Sequence, residues 1–63
     1  MVPYEIVRHE GRWAVCINGT VYNSADKFAQ DFPKDQFGDV RFGCEMDFSW
    51  QEMYNDMLSE WGA

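Results

Sequence analysis

The chain predicts a small α+β domain, an antiparallel sheet with two helices in the order β-β-β-α-β-α. Three observations predict it. Residues 4–9 and 12–17 are rich in β-branched and aromatic side chains and are joined by two-residue turn signals. Residues 25–32 and 50–61 carry apolar positions at the helical period, and residues 39–46 alternate apolar with polar. A meander followed by helices on one face buries such elements in a single core. Sixty-three residues allow one domain, spanning 1–63, with no linker long enough to divide it.

The first strand, residues 4–9, meets the second, Arg12–Ile17, across Glu10-Gly11, and the second meets a short third, Thr20–Tyr22, across Asn18-Gly19. Asn-Gly is the strongest two-residue hairpin signal, because both positions of a type I′ turn need positive φ. Trp13, Val15 and Ile17 then share one face of the sheet, the better core candidate, and Arg12, Ala14 and Cys16 share the other. Asn23 or Ser24 caps a helix whose core face is Ala25, Phe28, Ala29 and Phe32, and Pro33 stops it. Residues 34–38 read as a polar connector. The fourth strand comes next, with Val40, Phe42, Cys44 and Met46 on its buried side and Gly43 marking a bulge. It is expected to pair with an edge of the meander beside the first strand. Trp13, Phe28, Phe32, Phe42 and Trp50 are expected to share the core.

The last helix is the most legible element. Ser49 and Glu52 form a capping box, Phe48 and Met53 occupy the positions of a hydrophobic staple, and Gly62 ends the helix in the left-handed conformation. Trp50, Met53, Tyr54, Met57, Leu58 and Trp61 fall within an arc of about 140°. Glu52, Asp56 and Glu60 recur every fourth residue with no basic residue near them. Carboxylates at that spacing repel, and Glu60 adds a charge at the unfavourable end of the helix dipole. A fold needs the apolar arc but not the acid row, so the row is a candidate partner-binding surface. Glu45 and Asp47 extend it, and Trp61 is its aromatic contact.

Charge sets the partner class. The net charge is −6, and residues 42–63 carry Glu45, Asp47, Glu52, Asp56 and Glu60 without a single cation. Such a surface repels phosphate backbones and anionic lipid, which argues against direct nucleic-acid or membrane binding and favours a protein with a basic surface. The first residues lack the features of a secretory signal and no apolar run spans a bilayer, so a cytoplasmic location is expected, with Cys16 and Cys44 as thiols. No catalytic set, metal-ligand spacing or cofactor loop is present. His9 reads as a solvated hairpin tip, and both cysteines sit in apolar strand patterns. A non-enzyme is expected, with no cofactor.

Size, acidity, aromatic load and missing catalytic apparatus resemble the general class of phage-encoded inhibitors of host enzymes. The resemblance implies a small protein that inhibits or modulates a larger enzyme through its last helix. Two alternatives use the same features. The row spans about 12 Å, over which one nucleic-acid strand presents roughly three to four phosphates, so the chain could mimic nucleic acid toward a DNA- or RNA-binding protein. Arg8, Arg12 and Arg41 on strands could instead answer the acidic end of a second copy in a self-associating structural component.

Overall fold

The computed structural model describes residues 1–43 and 46–63, and it has the expected α+β composition in more pieces than foreseen. In chain order they are β1 (Val2–Pro3), β2 (Glu5–His9), β3 (Arg12–Ile17), β4 (Thr20–Tyr22), α1 (Ala25–Asp31), α2 (Lys34–Phe37), β5 (Arg41–Gly43), β6 (Asp47–Ser49) and α3 (Trp50–Trp61). They form two three-stranded sheets, β2-β3-β4 and β1-β5-β6.

Both hairpins of the meander close where the turn residues dictate. Glu10 and Gly11 take φ of 53° and 78°, and Asn18 and Gly19 take 53° and 83°, the pair of positive values that matches strand twist. His9 pairs with Arg12 and Ile17 with Thr20 across these turns, and a two-residue loop makes the flanking pair a hydrogen-bonded one. The resulting alternation fixes the backbone of every strand. In β2, Glu5, Val7 and His9 face β3, while Ile6 and Arg8 turn their N–H and C=O groups away from it. In β3, Ile17 and Val15 face β4, and β4 stops at Tyr22, opposite Val15.

The second sheet corrects the sequence reading. The fourth strand does not run through 39–46 and does not join the meander: the short β5 pairs parallel to β1 and antiparallel to β6, a strand the sequence did not announce. Gly43 explains the break. A Cβ there would lie 2.6 Å from the Met46 carbonyl oxygen and 3.0 Å from Asp47 Cα, so glycine permits a close backbone approach rather than the expected bulge. Cys44 lies outside the described residues, and Met46, expected inside, is 67% exposed. Tyr4 joins the two sheets, because it leads from β1 directly into β2 while its N–H donates to the Gly43 carbonyl at 3.2 Å.

Ser24 caps α1, its Oγ accepting from the Lys27 N–H at 3.0 Å. Pro33 ends that helix and starts α2, where a polar connector was expected. Phe28 is the centre of the core. It is fully buried, with the rings of Phe42, Phe32, Trp50 and Tyr22 at 5.4, 5.5, 5.7 and 6.3 Å. Aromatic pairs of this kind contribute about 0.5–1.5 kcal/mol each beyond area burial, which suits a chain too short for a large core. The Trp50 indole also donates to the Phe32 carbonyl at 2.6 Å, satisfying the end of α1 from inside. Trp13 is the exception among the five expected core aromatics. It lies beyond the end of β4, where no third strand covers it, and is 56% exposed; Ala14, from the face expected outside, is buried instead.

Helix α3 begins with both halves of its capping box, Glu52 N–H to Ser49 Oγ at 3.2 Å and Ser49 N–H to Glu52 Oε1 at 3.0 Å. Gly62 ends it at the positive φ that glycine favours, 85°, with ψ at −168° rather than at the left-handed helical value, and its N–H donates to the Leu58 carbonyl at 2.9 Å. Trp50, Met53 and Met57 are buried, Tyr54 and Trp61 half-buried and Leu58 exposed, so the buried strip is narrower than the apolar arc.

Candidate functional site

Helix α3 crosses the face of the meander that carries Tyr4, Ile6, Trp13 and Val15, and the two do not close against each other. A groove of about 420 Å³ remains between them. Its floor and walls are apolar, with Tyr4 and Ile6 on one side, Trp13 and Val15 below, Met53, Met57 and Trp61 from α3, and Phe48 at one end. Ile6 is 52% exposed, which with Trp13 leaves two large apolar side chains facing water at one site. Among the described residues, the charged side chains that line the groove come from α3, Asp56 and Glu60.

The far end of the groove is fastened by Trp61. Its indole N–H donates to the Trp13 carbonyl at 2.8 Å, filling the position beyond β4 where the sheet offers that oxygen no strand partner. The Arg12 guanidinium lies 3.9 Å over the Trp61 ring and donates to the Glu60 carbonyl at 3.0 Å, while the His9 ring sits 5.9 Å from Trp61 on its other flank. His9 is therefore packed against an indole rather than a solvated tip. Gly62 adds a carbonyl that accepts from the Ala25 N–H at 3.2 Å. Trp61 works here as a fastener, with part of its surface lining the groove.

The structure separates the expected acidic residues into distinct groups. Glu52 closes the capping box, and the Ser49 backbone N–H, then the Ser49 hydroxyl, hold its carboxyl below the usual range. Asp47 pairs with Arg41 at 3.2 Å, and that hydrogen bond lowers the Asp47 pKa and raises that of Arg41. Glu45 lies outside the described residues. Among the described residues, Asp56 and Glu60 enter no ion pair and no side-chain hydrogen bond. The row of three is thus a cap residue followed by two free carboxylates that share one wall with an indole.

The five Lys and Arg side chains are all committed within the chain. Arg8 donates to the Gly11 carbonyl at 2.9 Å and stacks over Trp13 at 4.8 Å. Lys27 donates to the Val21 carbonyl at 3.0 Å and Lys34 to Gln51 Oε1 at 3.1 Å. Arg12 holds Trp61, and Arg41 holds Asp47. Among the described residues only Arg41 pairs with a carboxylate, while the other positive groups fasten carbonyls, an amide oxygen and rings. Tyr22 is a polar contact inside the core edge: burial first, then its hydrogen bond to Asp31 at 2.8 Å, push its hydroxyl up to about 12.

Sequence reasoning missed Tyr4, Ile6 and Phe48 as groove residues, because each reads locally as a strand residue and their convergence depends on where α3 crosses. Among the described residues no cluster of three His, Cys, Asp or Glu is placed to hold a metal ion, and no helix is long and apolar enough to cross a membrane. No family model, curated protein or solved structure matches the chain.

Proposed function

We propose that this chain is a non-catalytic protein-binding module that inhibits or modulates a larger enzyme by seating a segment of it in the groove between the meander and α3. One observation carries the reading: Asp56 and Glu60, which have no side-chain partner among the described residues, form the charged wall of the apolar groove that leaves Ile6 and Trp13 open to water. An apolar cleft whose charged wall is Asp56 and Glu60, with Arg8 and Arg12 held on the rings of Trp13 and Trp61, suits a segment that carries apolar side chains with Lys or Arg placed against that wall. Nucleic-acid mimicry draws less support, because Asp47 and Glu52 are engaged by Arg41 and Ser49 and do not extend a free strip. Charge-paired self-association draws less support, because Arg41 is already paired with Asp47 and the guanidiniums of Arg8 and Arg12 are held on the Gly11 and Glu60 carbonyls.

Capture from cell lysate tests it with three baits: the native chain, Asp56→Asn with Glu60→Gln, and Ile6→Thr with Trp13→Thr, which keeps β-branched residues in the strands. The reading expects one set of proteins retained by the native chain and lost by both variants. Retention should weaken but persist at about 0.5 M salt, where screening acts within a few ångströms and apolar contacts remain. Equal capture by all three baits would remove the groove from consideration.

A further inference from the structure

We propose that β2 receives the partner segment as an added strand, and that this segment carries apolar residues and Lys or Arg at every second position. The inference rests on the groove reading above and specifies its ligand. Along β2, backbone parity leaves the N–H and C=O groups of Ile6 and Arg8 directed away from β3. Among the described residues, no hydrogen bond reaches those four groups. The same edge is used one step earlier, where the Tyr4 N–H meets the Gly43 carbonyl at the end of β5. It is therefore an edge that already accepts a strand end, and its backbone groups at Ile6 and Arg8 are unpaired among the described residues.

The opposite edge of the meander is closed by contrast. β4 has only three residues, and the Lys27 ammonium occupies the carbonyl of Val21, the one β4 residue that does not face β3. Natural sheets blunt their edges in this way, with short strands and lysines. β2 has five residues, and neither lysine nor proline stands in it.

Edge and groove are contiguous, because Ile6 belongs to both. A strand laid along β2 projects alternate side chains to the face shared by Tyr4, Ile6 and Trp13. Those side chains meet apolar surface at the floor and, across the groove, Asp56 and Glu60. Main-chain pairing supplies affinity and alternate side chains supply selectivity, as in other strand-addition interfaces. A helical ligand would leave the four backbone groups unused.

Panning short random peptides on the native chain supplies the probes. Amide hydrogen exchange by NMR then reads the backbone. In the free protein Val7 and His9 should be protected while Ile6 and Arg8 exchange quickly. Selected peptides should carry their apolar residues and Lys or Arg at the same set of alternate positions, and should slow both amides by more than an order of magnitude. Arg8→Pro removes an outward N–H without touching the ladder and should abolish peptide binding, whereas Arg8→Ala should retain it. Peptides that shift Trp13 and Trp61 resonances but leave Ile6 and Arg8 unprotected, or that bind Arg8→Pro as well as Arg8→Ala, would overturn strand addition and leave the groove standing. Peptides that perturb neither the edge nor the groove would overturn both.

Discussion

Neutralising the two free carboxylates should make the protein more stable. Asp56 and Glu60 stand one helical turn apart on α3, where like charges repel by about 0.2–0.5 kcal/mol. Glu60 lies in the last turn, and a negative charge there costs a further 0.3–1 kcal/mol or so at low ionic strength. The competing attraction is Arg12, but its guanidinium is bonded to the Glu60 carbonyl and stacked on Trp61, and it forms no ion pair with the Glu60 carboxylate. Asp56→Asn with Glu60→Gln therefore removes two unfavourable terms and no specific contact, a gain of about 1 kcal/mol, or a rise of roughly 4–8 °C in Tm for so small a domain. Urea and thermal unfolding followed by circular dichroism measure it. The gain should shrink as salt is raised. A loss of stability at low salt would show that the pair supports the fold, and the argument that these charges serve an external partner would fail.

Other contacts can be perturbed one at a time. Ser49→Ala removes the cap of α3 and should cost about 1 kcal/mol, read as a lower urea midpoint at constant slope. The carboxyls of Glu52 and Asp47 sit below their ordinary range, so the stability they contribute is complete at neutral pH. It drains away as pH falls below the carboxylate range through their folded values; acid unfolding of a Glu52→Ala variant should begin from a lower plateau and show a smaller drop. Trp61→Phe keeps a ring under Arg12 but loses the bond to the Trp13 carbonyl, a cost of about 0.5–1.5 kcal/mol, seen as faster exchange in the amides of the first hairpin. Tyr22, raised to about 12, stays neutral in the fold after it ionises in the unfolded chain, so stability should decline between about pH 10 and 12, and Tyr22→Phe should flatten that decline.

Local chemistry is legible in this sequence, and long-range geometry is not. Ser24, Ser49 with Glu52, and the two Gly-containing turns each encode their element within four residues, and each element forms there. The alternation over 39–46 misleads because Gly43 allows a backbone approach that only the folded chain reveals: within that range the described strand is β5, and β6 follows beyond its end as a separate partner. Trp13 misleads because its burial depends on how far β4 extends, and β4 ends at Tyr22, two residues short of the pair that would cover it. The acid row is a true repeat but a mixture of roles: the capping box takes Glu52, and nothing in the spacing says which of its two roles the residue fills. The groove escapes local reading altogether, since it exists only where α3 meets the strand register.

The vacant edge of β2 has a consequence for the molecule in bulk. An unpaired strand invites identical copies to stack on it, and among the described residues β2 sets only its charged side chains Glu5 and Arg8 against that growth. Mutual repulsion between chains of net charge −6 opposes such stacking, and it vanishes near the isoelectric point of about 4.3. Acidification should therefore drive edge-to-edge polymerisation into β-rich aggregates before the domain unfolds, and a single proline at Arg8 should suppress it.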